Sequence, residues 1–202
     1  MEVIGYLVER TKSDFIKVLE TGTIRSYDEK HESTRWFGES IKNGSIVSID
    51  NCKKSIEISK DICKHLDNIT WVESDSVEYL KTLDQDDKFD IILLDSDNDK
   101  NLIWEEFKLA IKLIKTDGII MIDDFGVTPE MNIPDLTQIN AEKGWEVWRQ
   151  IVLRGLAPAV HIHRSSCGTQ GCLMNISEDL KHRFTDEWLA AEEAAWGAAS
   201  PI

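Results

Sequence analysis

The stretch FDIILLDSDNDK, residues 89–100, runs six strand-length residues straight into Asp95, Asp97 and Asp99. A continuous apolar run of this length suits a strand buried on both faces. Its neighbours decide. KVLE (17–20), SIVSID (45–50) and GIIMIDD (118–124) have the same character, and ITWVESD (69–75) is a weaker fifth.

Helical patterns lie between these runs. STRWFGESIKNG has Ser33 or Thr34 as N-cap and Gly44 as a stop. KKSIEISKDICKHL places Ile56, Ser59, Ile62, Cys63 and Leu66 roughly on one face. SVEYLKTL is short, with Ser76 as its cap. NLIWEEFKLAIKLIKTDG carries Ile103, Trp104, Phe107, Ile111 and Ile114 at helical spacing and ends at Gly118. Strand and helix alternating in this way predict an α/β fold, a doubly wound, mostly parallel sheet covered on both faces. A Pro-containing loop (VTPEMNIPDL) follows, then the helix EKGWEVWRQIVLRGL. AVHIHRS and GCLMNIS then read as a hairpin turning around SCGTQG. The tail LAAEEAAWGAASPI is Ala-rich, and there is no internal repeat.

Every strand closes on an acid: Glu20, Asp50, Asp75, Asp95, and Asp123 with Asp124. In an open parallel sheet these carboxyl ends emerge on one edge, where ligands bind. Each acid alone could be a cap or a helix-dipole partner; the set is the stronger signal. The first loop, ETGTIRS, has the single glycine Gly22 where a dinucleotide fingerprint has three, which counts against a dehydrogenase. Asp50 suits the two hydroxyls of a ribose, and Asp75-Ser76 an adenine edge. The pocket expected is one for a nucleoside without phosphates.

The composition bounds the partners. The 202 residues suffice for one substantial core, with 42% hydrophobic and 30% charged residues. Net charge is −14, from 23 basic and 37 acidic residues, a field that repels nucleic acid and anionic lipid. No run approaches a membrane span and MEVIGYLVERTK has no signal-peptide layout, so a cytoplasmic location is expected. Cys52, Cys63, Cys167 and Cys172 form no disulfide framework. Cys167 and Cys172 downstream of His161 and His163 would make an oddly spaced zinc site, and the hairpin is the preferred reading.

VLETGT…ST, VESDSVEYL, FDIILLDSDND and GIIMIDD resemble the class I S-adenosylmethionine-dependent methyltransferases from about Val18 to Phe125, most of all the small metal-dependent catechol and caffeoyl-CoA O-methyltransferases. The resemblance implies a Rossmann-like seven-stranded sheet with a terminal antiparallel hairpin. It also implies one methyltransferase domain over 1–202: a cofactor half at about 15–125, a substrate and hairpin half at about 126–180, and the tail 188–202. The cofactor-binding residues it implies are Glu20, Thr21, Gly22, Thr23, Ser33, Asp50, Asn51, Asp75, Ser76 and Asp95. A divalent cation, Mg²⁺ in the first place, would fall to Asp95, Asp123 and Asp124. The acceptor would be a small molecule, methylated on a hydroxyl oxygen, and the short N-terminal lead is compatible with a homodimer.

Two positions depart from the family. Asp124 stands where it has Asn, and Asn98 where it has the lysine base; Lys100, two residues on, is the substitute. Asp95, Asn98 and Lys100 are thus the catalytic candidates. Three clustered carboxylates repel one another by about 4 kcal/mol per pair at roughly 4 Å unless a cation intervenes, and all-oxygen ligands favour Mg²⁺, Mn²⁺ or Ca²⁺. Against that, Asp123 and Asp124 can point apart, so both readings stand. Asp97 and Asp99 belong to the next helix and solvent. Arg25, Tyr27 and His31 in the long first loop are candidates to cover the pocket, while Trp104, Trp145 and Trp148 read first as core. His65 carries no constellation. A cofactor-binding protein without turnover, and a protein or nitrogen methyltransferase, are the alternatives.

Overall fold

A computed structural model describes residues 2–27, 32–84, 86–123, 125, 143–153, 159–165, 168–174 and 176–184. Helix α1 (Glu2–Arg10) precedes five strands alternating with four helices: β1 (Ile16–Thr21), α2 (Ser33–Ser40), β2 (Gly44–Asp50), α3 (Lys53–Ile62), β3 (Ile69–Glu73), α4 (Ser76–Thr82), β4 (Phe89–Leu94), α5 (Lys100–Leu113) and β5 (Ile114–Ile122). Helix α6 (Trp145–Leu153), β6 (Ala159–Ser165), β7 (Gly168–Met174) and α7 (Glu178–His182) complete the described chain. The seven strands form one sheet in the order β3-β2-β1-β4-β5-β7-β6, parallel through β5, with β7 antiparallel to β5 and β6 antiparallel to β7. Chain direction across the sheet reverses between β1 and β4, and this is the switch point.

All six residues of β4 are buried, as expected of a central parallel strand. The two faces alternate along it. Ile92 and Leu94 join Leu19, Ile120, Phe107 and Leu173 in one core; Ile91 and Leu93 join Val18, Ile46, Phe37 and Met121 in the other. Helices therefore cover both faces, as the alternation of elements predicts. Trp104 stacks on Phe107 at 5.8 Å and meets Phe184 edge-on, so it is a core residue.

Three local expectations are corrected. Helix α5 ends at Leu113 rather than at Gly118, because β5 already pairs with β4 at Ile114. The register then jumps from Phe89↔Ile114 to Ile91↔Ile119, and Asp117 takes a left-handed φ of 62° in the excursion. That excursion brings the Lys115 ammonium to both oxygens of the buried Asp90, at 2.8 Å each, which compensates a carboxylate inside a core strand. Secondly, β7 begins at Gly168, paired with Ser165, so residues 168–171 of SCGTQG belong to the strand rather than to a turn. Its Cys172 is buried beside Met121 and Met174, a core position. Cys167 lies outside the described residues, as do His31 and residues 126–142 and 185–202.

Thirdly, helix caps fall on other residues than expected. Asp75, not Ser76, caps α4 by accepting from Glu78 N at 2.9 Å. Glu32 occupies the N-cap position of α2 without a side-chain cap bond, whereas Asp99 serves the next helix as expected, capping α5 through Asn101 N at 2.8 Å. Gly44 opens β2 instead of merely stopping α2. Among the described residues, no helix is long and apolar enough to cross a membrane.

Candidate active site

The hydroxyls of Ser33 and Thr34 leave the α2 cap position because a stronger acceptor stands beside them. Glu20, fully buried at the end of β1, accepts from both, and from Ser48 Oγ at 3.0 Å. Burial pushes its carboxyl up to about 7, against the pull of the three hydroxyls. Thr34 Oγ1 also lies 3.2 Å from Thr23 Oγ1, which meets Ser59 Oγ at 2.7 Å, so a hydroxyl network fixes the first loop on α2 and α3.

That loop crosses the switch point at Gly22. Its φ is +84°, and a Cβ there would stand 2.3 Å from the Asp95 carbonyl oxygen. Only glycine allows β1 to leave the sheet so close to the end of β4. Thr21 closes the same junction: its carbonyl and its hydroxyl accept from Asp95 N at 3.0 and 3.2 Å. The Thr21 hydroxyl in turn donates to Glu106 Oε2 at 3.0 Å. Glu106 is buried on α5, and burial raises its carboxyl above the usual range.

Asp50, at the end of β2, is held by backbone: Oδ2 accepts from Thr23 N at 3.2 Å and Oδ1 from Cys52 N at 2.7 Å. Each oxygen keeps a second acceptor direction, which suits a pair of vicinal hydroxyls. Asn51 and Asp75 are exposed beside it, and Ser76 is buried under the α4 cap. Arg25 is exposed and donates to the Asp95 carbonyl at 3.4 Å, so of the first-loop candidates it reaches the switch point. Tyr27 stays exposed.

On the other side of Gly22 stand Asp95 and Asp123, and between them a residue the sequence did not single out. Lys143, with 3% of its side chain exposed, forms an ion pair with Asp95 Oδ1 and lies 3.8 Å from Asp123 Oδ2. Burial, reinforced by Asp123, raises the Asp95 carboxyl, while Lys143 pulls it back. The lysine is delivered by packing. Phe125 is fully buried and edge-on to Trp148 at 6.2 Å, and its ring fills the space a Cβ of Gly144 would need, 2.1 Å away. Gly171 of β7 bounds the same ring from another side. The start of α6 is thereby packed against Phe125, just past the end of β5, and the adjoining Lys143 reaches both carboxylates.

Asp124 lies outside the described residues. Among those described, no group of three or more His, Cys, Asp or Glu side chains is arranged to hold a metal ion. Asn98 is exposed in the loop before α5 and Lys100 opens that helix, so neither is drawn into the Asp95 pair. The edge thus brings together Gly22, Asp50, Asp95, Asp123 and Lys143, with Glu20 and Glu106 buried below it.

Residues 32–125 match the family model of a methyltransferase domain. Comparison with curated proteins gives no match. Among solved structures, the O-methyltransferase TomG of Streptomyces achromogenes, in complex with S-adenosylmethionine, shares the fold at a TM-score of 0.63 and 17% identity, over 86% of this chain and 78% of that one. The O-methyltransferase from Bacillus cereus, in complex with S-adenosylhomocysteine, does so at 0.61 and 17%, over 86% and 79%. An N-methyltransferase, NodS from Bradyrhizobium japonicum, follows at 0.52 and 15%, over 86% and 94%. At these identities the likeness is one of fold.

Proposed function

We propose that this chain transfers the methyl group of S-adenosylmethionine to a hydroxyl oxygen of a small-molecule acceptor. One observation carries the reading: the backbone-anchored Asp50 and the carboxylate pair Asp95 and Asp123 flank the left-handed Gly22 at the switch point. The residues fit the cofactor. Asp50 suits its ribose hydroxyls, Gly22 lets its amino-acid end approach the backbone, and the surrounding acids favour its cationic sulfonium. When bound, S-adenosylmethionine supplies a methyl carbon made electrophilic by that sulfonium. Bound there, it would give that methyl to the acceptor oxygen, and a carboxylate of the site or water would take the hydroxyl proton. The chain's part is to hold the two reactants in line and to place fixed charge around them. The net charge of −14 favours a small acceptor over nucleic acid.

A second reading, cofactor binding without turnover, is favoured by Asn98, which cannot take a proton at neutral pH. Incubation with methyl-labelled S-adenosylmethionine and a panel of catechol-like and sugar hydroxyl acceptors separates the two. Label should reach an acceptor, and Asp50→Ala should abolish most of it. Cofactor binding with no transfer to any acceptor gives the second reading the field.

A further inference from the structure

We propose that the Lys143 ammonium is the resident cation of the Asp95–Asp123 pair, and that it takes the place a divalent metal holds in the O-methyltransferases this chain resembles. The cation expected from the sequence rests on two carboxylates that are described, and both already face the same buried ammonium. A dication brought to those oxygens would meet a like charge at contact distance. To bind, it would have to expel a side chain that is 3% exposed and whose neighbour Gly144 packs against the Phe125 ring. Among the described residues the donor set as arranged does not fit a metal; it fits an ammonium, which needs oxygen acceptors and no coordination sphere. One lysine charge leaves the pair at net −1, still favourable to a cationic cofactor nearby.

The chemical consequence rests on the methyl-transfer reading: the acceptor oxygen would meet a fixed N–H donor rather than a metal, and chelation would not stop the reaction. The placement of the cation does not rest on it, so the test is one of metal binding. Mn²⁺ is titrated into the full-length protein and the free ion followed by its electron paramagnetic resonance signal. The proteins compared are the native chain, Lys143→Ala, Lys143→Arg, Asp95→Asn and the double variant Lys143→Ala/Asp95→Asn, each checked for folding by circular dichroism.

Lys143→Ala should take up one Mn²⁺ at least tenfold more tightly than the native chain, Lys143→Arg should behave as native, and the double variant should lose the gained site. A native chain that binds Mn²⁺ as tightly as Lys143→Ala overturns the proposal, as does a folded Lys143→Ala that binds no better than native. If Lys143→Ala does not fold, the native chain and Asp95→Asn decide. Equal titrations support the resident ammonium, and a Mn²⁺ site present in the native chain but lost in Asp95→Asn overturns it.

Discussion

Glu20 offers a prediction whose size follows from its surroundings. The carboxyl is fully buried and titrates at about 7 against an ordinary 4.5, with burial as the main cause and the hydroxyls of Ser33, Thr34 and Ser48 opposing it. The unfolded chain therefore releases this proton near pH 4.5, while the folded chain keeps it until about pH 7. Stability from this group is fully present below the lower value and is lost as pH rises through the higher one. At about 1.4 kcal/mol per pKa unit, ionising Glu20 in place costs about 3 kcal/mol, of which about 2.5 kcal/mol appears between pH 5 and pH 8. Glu20→Gln keeps the shape and the hydroxyl partners but removes the titration. Urea unfolding of both proteins at several pH values across this window measures the difference. Relative to the native chain, Glu20→Gln should gain roughly 2–3 kcal/mol in going from pH 5 to pH 8. Stability curves that run parallel across the window would refute the placement of a neutral carboxyl beneath the switch point.

Other perturbations read out different parts of the account. Gly22→Ala must strain a left-handed position and push against the Asp95 carbonyl; it should cost about 2 kcal/mol or more in urea unfolding and weaken cofactor binding. Asp50→Ala leaves the N–H groups of Thr23 and Cys52 without their side-chain acceptor, a cost of about 1 kcal/mol in stability, and should lower cofactor affinity at least tenfold by calorimetry. Burial pushes Cys63 up to about 11 and Cys172 up to about 12, whereas hydrogen bonds from Ser55 lower the exposed Cys52. In a Cys167→Ser background, a thiol reagent should label Cys52 in the native protein and the other two only on unfolding.

Much of this was legible in the sequence. FDIILL and its sister runs gave the sheet, because aliphatic runs of strand length between amphipathic helices have few other solutions. The acids closing those runs pointed to the edge that holds the candidate site, since strand ends in a parallel sheet share one side. What stayed hidden depended on contacts distant in sequence. Ser33 and Thr34 read as caps because the pull of Glu20, thirteen and fourteen residues away, leaves no local trace. The early start of β5 follows from a pairing with Phe89 and from the Lys115–Asp90 ion pair. Lys143 was the largest omission. It stands just before a helix whose pattern asks only for a solvated polar residue there, 48 residues from Asp95. The nearest clue was its neighbour Gly144, an unusual choice at a helix start that the Phe125 ring explains.

The most direct test of the account is calorimetric titration of the full-length protein with S-adenosylmethionine, once in EDTA and once in Mg²⁺. One equivalent should bind with micromolar affinity, about 8 kcal/mol, and equally well in both buffers. No heat of binding in either buffer would contradict the cofactor site at Gly22 and Asp50, and with it the methyl-transfer reading.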